Sequence, residues 1–270
     1  MPDRKLFENA EVTWTGMWRD IGGVLAESAG LVRRFPKKYA LYAFMMFLIG
    51  KSYHFIPFQN LEGAVLYTLA TVASFAYSFI MLGFLAAVVV RATNQMHGSD
   101  TGPGQELVLR MGKALPYAVA VYLVPAHFSG YLTWGMCELG RLFTGGSLGL
   151  PLFETIVFLA QLPQIFILVI FGFCVIGASL YTPVTFRQSW EMMRGKFWPI
   201  FLTYLLWWTL RSLPGTALAP FGMDYPNLLD IYFNWLSRPL RAIINVFFFI
   251  SAAVWYEKLR VSGESDQPAG

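Results

Sequence analysis

Three basic side chains in this sequence follow three lysines at a nearly constant interval. The pairs, separated by fourteen, fourteen and fifteen residues, are Lys37 with Lys51, Lys113 with His127, and Lys196 with Arg211. Basic groups within apolar segments mark polar pathways or anion sites in membrane proteins. If the three segments are arranged equivalently, we expect Lys51, His127 and Arg211 to form an anion or lipid-headgroup site. Arg211 would be the strongest phosphate partner, because its planar guanidinium donates paired hydrogen bonds. The alternative is that all three side chains snorkel from short helices to the headgroups.

Patterns typical of metal sites and catalytic nucleophiles are missing. The histidines His54, His97 and His127 are far apart, and the chain has no H-E-x-x-H, C-x-x-C, phosphate-loop or G-x-S-x-G motif. Glu138 and Glu154 could form an acid–base pair with His127. Solvated loop charges explain the two glutamates better, because no spacing in the sequence fixes their mutual geometry. We therefore expect no catalytic residue, no metal site and no cofactor.

The composition indicates the solvent in which these residues act. Hydrophobic residues make up 56% of the 270 residues and charged residues only 13%, where a soluble domain carries roughly 25% charged residues. One soluble core cannot bury so much apolar surface, so a bilayer must surround the chain. The nine tryptophans fit two membrane interfaces, where such rings are enriched. The expected partner is membrane lipid, and neither a soluble enzyme nor nucleic-acid binding is indicated.

Six apolar stretches are interpreted as membrane helices, because an unpaired backbone cannot cross hydrocarbon. They are residues 39–58, 64–90, 114–134, 155–181, 197–213 and 242–256. The sequence thus predicts an all-α fold in which residues 1–270 form a single polytopic membrane domain with six transmembrane helices.

Free cysteine behaves as a small hydrophobe, so Cys137 and Cys174 are expected to be packed thiols.

Lysine and arginine are distributed unevenly between the two sides of these spans. Fifteen lie in the N-terminal segment, in the loops after the second and fourth spans and in the C-terminal tail, whereas five lie on the other side. Loops rich in lysine and arginine remain in the cytoplasm. We therefore expect a multi-pass protein with both termini cytoplasmic.

A short motif recurs before the odd-numbered spans. GKALP at 112–116 matches GKFWP at 195–199, and PKK at 36–38 supplies the lysine before the first span. Gly or Pro is expected to end a cytoplasmic interfacial helix there, with Lys37, Lys113 and Lys196 anchored at the headgroups. The final Pro would occupy the first turn of the next helix, where its missing N–H costs nothing. We predict three units of one interfacial helix and two spans, at 12–98, 99–183 and 184–260, with a flexible tail at 261–270. Chance similarity in an apolar sequence is the alternative.

The segment before the first span has the pattern of an amphipathic helix. Apolar or small residues recur at three- and four-residue steps, and charged residues lie elsewhere on the helix. The recurring residues are Trp14, Met17, Trp18, Ile21, Val24, Leu25 and Ser28. We expect this helix to lie in the inner leaflet, anchored by Trp14 and Trp18. Pairing with a helix of a partner protein is the alternative.

Three polar residues interrupt the long apolar runs: Gln161 and Gln164 in the fourth, and Asn245 in the sixth. Such groups either join helices by hydrogen bonds or line a pathway, and joining is the commoner role. We expect these three residues to join helices.

Two stretches resemble a known group of membrane domains. They are QSWEMMRGKFWPIF at 188–201, before the fifth span, and WYEKLR at 255–260, at the end of the sixth. The chain resembles the six-span membrane domain that precedes some bacterial glycerophosphodiester phosphodiesterases, and stand-alone bacterial inner-membrane proteins of the YciC type. The resemblance implies a polytopic protein of the bacterial inner membrane. It implies no reaction, because the family's catalytic residues have no counterpart here.

Three classes of function follow. The first is a non-enzymatic inner-membrane protein that organises the membrane or serves as an accessory subunit, binding phospholipid beside a protein partner or a second copy of itself. The second is a transporter or flippase-like carrier of a lipid or small anion, although the spans lack the buried carboxylates that couple ions or protons. The most distant is a membrane-embedded hydrolase using His54, His127, Glu138 or Asp224.

Overall fold

The computed structural model describes residues 14–52, 63–146, 150–216 and 236–265, and these ranges are almost entirely helical. The α-helices of the described ranges are α1 (Trp14–Arg34), α2 (Pro36–Ser52), α3 (Gly63–Met96), α4 (Leu107–Ala118), α5 (Val124–Thr144), α6 (Leu150–Ser179), α7 (Phe186–Met193), α8 (Phe197–Thr216) and α9 (Arg238–Ser265). A 3-10 turn at Gly104–Glu106 precedes α4, and a π-helical turn at Val119–Leu123 joins α4 to α5. No strand occurs within these ranges, so the all-α prediction is confirmed.

Four helical segments of the described chain are long and apolar enough to cross a membrane. They are Ala76–Met96, Gly104–Thr144, Thr155–Ser179 and Arg238–Val261, with 21, 41, 25 and 24 residues. At about 1.5 Å per residue, each can cross a hydrocarbon core roughly 30 Å thick. These helices indicate an integral membrane protein. The predicted first and fifth spans begin in α2 and α8, helices of 17 and 20 residues, and residues 53–58 lie outside the described ranges.

The helix α9 lies at the centre of the bundle. It packs against α2, α3 and α8, and also contacts α1, α6 and α7. Ile250, Val254 and Tyr256 of α9 are almost completely buried. Residues 242–256 of this helix are apolar apart from Asn245 and Ser251, and such a helix can pack against several others at once. The main apolar core therefore lies around α9.

The helices α4, α5 and α6 form a long hairpin beside this core. One continuous helix, Gly104–Thr144, runs through α4, the π-helical turn and α5. Its first part packs on α3 and α6 and its second part on α6. Gly83 of α3 permits the close approach, because a Cβ there would lie 3.0 Å from Met111 Sδ. Cys137 of α5 and Cys174 of α6 are free and buried, as predicted.

The predicted break before the third span is wrong. Gly112 and Pro116 lie inside α4, which continues into α5 without ending. Pro116 cannot donate to the carbonyl of Gly112, and its ring crowds that carbonyl. The π-helical turn that begins three residues later widens the backbone, so the helix continues past the proline. The equivalent break near the fifth span is confirmed: α7 ends at Met193, Gly195 adopts φ +79°, and α8 begins at Phe197.

The amphipathic helix predicted near the N-terminus is present as α1, but protein covers its apolar face. One row of residues at three- and four-residue steps packs against α8 and α9. The buried residues are Met17, Ile21, Val24, Ser28 and Leu31. Trp14 and Trp18 flank this row and are 73% and 55% exposed. The stripe of residues that was predicted to face lipid is therefore divided. Its buried row packs against α8 and α9, whereas the rings of Trp14 and Trp18 point away from these helices and remain exposed.

Candidate functional site

Charged side chains gather at one end of the bundle. The ion pairs there that join distant segments of the chain are Lys196 with Asp20 (2.7 Å), Lys258 with Glu27 (3.1 Å), His97 Nε2 with Glu257 (3.6 Å), and Lys38 with Asp100. They bring α1, the starts of α2 and α8, and the ends of α3 and α9 together. We call this end, which also carries the α3–α4 and α6–α7 loops, the basic end. The segments that the charge count placed on one side therefore lie together.

Asp100, in the loop between α3 and α4, collects three donors. It accepts hydrogen bonds from Lys38, from Arg91 Nη1 at 3.2 Å and from Gln95 Nε2 at 3.1 Å. The Tyr39 hydroxyl in turn donates to Gln95 Oε1 at 2.7 Å. Lys38 first and Gln95 next hold the pKa of Asp100 below its usual value, because they stabilise the charged carboxylate. The ionised Asp100 fastens the loop to α2 and α3.

Arg110 and Lys113 of α4 both lie against the ring of Tyr181, in the α6–α7 loop. Arg110 Cζ is 4.2 Å and Lys113 Nζ 4.1 Å from the ring centroid. Both distances fit cation–π attraction. Arg110 also donates to the carbonyl of Ser179 at 2.9 Å and pairs with Glu106 at 2.9 Å. This cluster clamps the end of α6 onto α4.

The backbone of Tyr181 has a conformation that usually requires glycine. Its φ is +61°. Thr182 N–H donates to the carbonyl of Gly177 at 2.9 Å, and Tyr181 N–H to that of Ala178 at 3.4 Å. These paired bonds end a helix on a left-handed residue, where a Cβ costs about 1–2 kcal/mol. Strained residues concentrate at functional sites, so the Tyr181 cluster is the strongest candidate at the basic end.

Several cations of the basic end have no acidic partner among the residues that the structure describes. The ion pairs in the described part of the chain are formed by other lysines and arginines and by His97. The cations that form none there, all of them exposed, are Arg19, Arg33, Arg34, Lys37, Lys113 and Arg194. An excess of positive charge on one face attracts anionic ligands and surfaces.

The predicted basic triplet is only partly described. The side chains of Lys51 and His127 lie outside the described residues, although both backbones belong to helices. The Arg211 guanidinium lies 5.6 Å from the ring centroid of Trp208. Trp208 Nε1 donates to Gln161 Oε1 at 2.9 Å, so Gln161 joins α6 to α8. An anion site built from all three basic residues stays a prediction.

Of the candidates for acid–base chemistry, the structure describes the side chain of Glu138. Glu138 pairs with Arg141 at 2.8 Å. The remaining candidates, His54, Asp224 and the side chains of His127 and Glu154, lie outside what is described. No group of three or more His, Cys, Asp or Glu side chains in the described ranges could hold a metal ion.

Buried polar side chains join the helices of the main core. The hydroxyls of Ser28 and Ser251 lie 3.1 Å apart, and Trp207 Nε1 donates to Ser251 at 3.1 Å. Trp255 Nε1 donates to the Thr203 hydroxyl at 3.3 Å. These bonds connect α1, α8 and α9. Interhelical bonding is therefore the role of these groups, as expected for polar residues among packed membrane helices.

The sequence did not single out Tyr181 or Asp100. A tyrosine carries no sequence signal for a left-handed helix end, since glycine is the expected residue. Asp100 lies in GSDTGPG at 98–104, where the glycines and proline indicate a turn but do not indicate that it reaches Lys38.

Comparisons of the chain with protein families, with curated proteins and with solved structures give no match. The resemblance noted from residues 188–201 and 255–260 therefore stays a prediction.

Proposed function

We propose that this chain is a non-enzymatic protein of the bacterial inner membrane that binds anionic phospholipid at its basic end. Through this binding it organises the membrane or serves as an accessory subunit of a membrane complex. In the proposal the chain crosses the membrane six times, and the basic end and both termini face the cytoplasm. The proposed units are α1 to α3, α4 to α6 and α7 to α9, and in the second of them α4 continues into α5 as one helix. The resemblance to bacterial membrane domains supports the location.

One observation carries the proposal: cations that form no ion pair within the described ranges border exposed apolar helix faces. Arg33, Arg34 and Lys37 surround the junction of α1 and α2. The next turns of α2 expose Leu41 and Phe44, which are 60% and 55% accessible. An anionic phospholipid needs cations at headgroup depth and an apolar surface for its acyl chains. Each lysine or arginine near an anionic surface contributes about 1 kcal/mol to such attraction.

The role as a subunit is supported by the far end of α5. Leu139, Leu142 and Phe143 are 59%, 82% and 84% exposed there. They lie near the end of a 41-residue helix, which at about 1.5 Å per residue is longer than a bilayer is thick. Exposed apolar patches of this kind mark interaction sites. A second copy of the chain or a partner protein could cover them. We do not propose transport, because the hydrogen-bonded polar groups of the main core join helices and no observation in the described ranges favours it.

The proposal is tested by native mass spectrometry of the full-length protein purified in mild detergent. We expect anionic phospholipid to be retained in preference to zwitterionic phospholipid, and high salt to weaken the retention because it screens charge. Replacement of Arg33, Arg34 and Lys37 by Gln should reduce the retention. The matched control is Arg141→Gln, which removes a cation near the end of α5. Equal retention of both lipid classes would contradict the proposal. A stoichiometric protein partner without bound lipid would leave only the role as a subunit.

A further inference from the structure

We infer that Arg110, Lys113 and Tyr181 form a binding site for a phosphate group that carries one negative charge. The site refines the proposed function and rests on it, because the proposed function supplies the source of the phosphate. That source is the headgroup of a phospholipid in the leaflet beside the basic end.

The charges of this cluster are not balanced. Two cations lie within 4.2 Å of one ring centroid, and Glu106 is the one carboxylate paired with either of them in the described ranges. One positive charge is therefore in excess, and it belongs to Lys113, which is exposed. Two like charges held beside one ring repel each other. A phosphodiester bears one negative charge and removes both the excess and the repulsion, whereas a dianion would leave a new excess.

Two local features of the cluster are unfavourable by themselves. Tyr181 has φ +61°, in the region that favours glycine. The Nε of Arg110 is buried and, among the described residues, has no hydrogen-bond partner. Glycine at position 181 would close α6 without strain. Closing the helix therefore does not explain the tyrosine, whereas a ring that positions two cations for a shared anion does.

An apolar surface continues from Lys113 along the same helix. Val124 and Phe128 follow it and are 59% and 58% exposed. On the side of the α6–α7 loop, the rings of Phe186 and Tyr117 pack edge to face with their centroids 5.8 Å apart. Acyl chains would lie along such a surface while their phosphate contacts the cations. A soluble phosphodiester would use the cations alone, so the two sources can be distinguished.

The experiment compares the wild-type protein with Lys113→Gln in detergent, using native mass spectrometry with phosphatidylglycerol as the probe. The control Arg141→Gln removes an exposed cation outside the basic end, whose ion pair with Glu138 lies at the surface. We expect Lys113→Gln to weaken phosphatidylglycerol binding about tenfold, as for the loss of one charge-assisted hydrogen bond. The control is expected to bind like the wild type. Phosphatidylcholine carries the same phosphodiester together with a quaternary ammonium, which Arg110 and Lys113 repel, so the wild type should hold it more weakly than phosphatidylglycerol.

Each other outcome overturns a stated part of the inference. Equal phosphatidylglycerol binding by the wild type and Lys113→Gln would overturn the site but leave the proposed function. A wild type that binds no phosphatidylglycerol would overturn both. Displacement of the lipid by equimolar glycerophosphoglycerol, the same phosphodiester without acyl chains, would support the site and overturn the lipid as its source.

Tyr181→Gly separates binding from folding. Glycine relieves the strain of the left-handed backbone, about 1–2 kcal/mol, but loses the two cation–π contacts, which contribute about 0.5–1 kcal/mol each at exposed sites. The two effects offset each other, so the melting temperature is expected to remain near that of the wild type. Binding of phosphatidylglycerol is expected to fall, because the ring no longer positions the two cations. A lowered melting temperature with unchanged lipid binding would show that Tyr181 is only structural, and would overturn its place in the site.

Discussion

One methyl group added near the end of α6, at the basic end, should destabilise the protein. In Gly177→Ala, the new Cβ would lie 2.5 Å from the Thr182 carbonyl oxygen, 2.9 Å from Val184 Cγ2 and 3.1 Å from the Tyr256 hydroxyl oxygen. The first of these atoms belongs to the backbone. Thr182 N–H also donates to the Gly177 carbonyl at 2.9 Å, so the turn cannot move away without weakening its own closing bond.

Two opposing contributions decide the size of the effect of Gly177→Ala. Alanine in place of glycine within a helix stabilises a protein by about 0.5–1 kcal/mol. Overpacking costs about 1–3 kcal/mol. Displacement of the turn also strains the hydrogen bond between Thr182 and Tyr256, which join at 2.9 Å through their hydroxyls, and such a bond is worth about 1 kcal/mol. We expect a net destabilisation of about 1–3 kcal/mol.

The matched control is Gly172→Ala in the same helix. Its Cβ would meet Leu168 Cδ1 at 3.6 Å and the Tyr204 hydroxyl at 3.8 Å, both ordinary contact distances. Thermal unfolding in detergent, followed by tryptophan fluorescence, should show a lowered melting temperature for Gly177→Ala and an unchanged or raised one for Gly172→Ala. The reasoning is refuted if Gly177→Ala melts like the wild type, or if the two variants lose stability equally.

Three further predictions follow from particular contacts. Because Lys38 lowers the pKa of Asp100, the stabilisation by Asp100 is complete above pH about 4 and is lost as the pH falls through the lowered pKa. Amide exchange at residues 98–104, corrected for intrinsic rates, should therefore rise in the wild type only below pH about 4. In Asp100→Asn the exchange at neutral pH should already equal that of the wild type at low pH, and it should not change with pH. Thr203→Val leaves the buried Trp255 Nε1 without its acceptor and should cost about 1–3 kcal/mol; no loss in thermal unfolding would contradict this. Gly195→Ala places a Cβ at φ +79° and should cost about 1–2 kcal/mol by the same assay, and an unchanged melting temperature would show that the turn relaxes.

Local patterns predicted the elements well where one residue type has one physical consequence. The long apolar runs at 64–90 and 155–181 became α3 and α6, because a backbone surrounded by apolar material must satisfy its own hydrogen bonds. Gly195 ended a helix because glycine adopts a positive φ without strain. Pro116 did not end a helix, because a π-helical turn accommodated it. Whether a proline interrupts a helix depends on the helices packed around it, as here on α3 and α6.

The candidate site was less predictable. The sequence indicated that Lys113 lies at a membrane interface, and the count of lysines and arginines indicated which loops share a side. It could not indicate that Arg110 and Lys113 contact Tyr181, which lies about seventy residues further along the chain. Contacts between distant residues depend on how α4 and α6 pack, and side-chain shape at many positions decides that packing.

The sequence by itself determined the solvent, the helical class and the side on which positive charge collects, because each of these depends on sums over many residues or on local backbone chemistry. The tertiary structure decided which face of each described helix packs against protein and which face remains exposed. The row Met17, Ile21 and Val24 turned toward α8 and α9 while Trp14 and Trp18 stayed exposed. In a bilayer, apolar surface is equally compatible with lipid and with protein, so hydrophobicity alone cannot distinguish the two. Close packing and a few interhelical hydrogen bonds make that choice, and they exist only in the folded bundle.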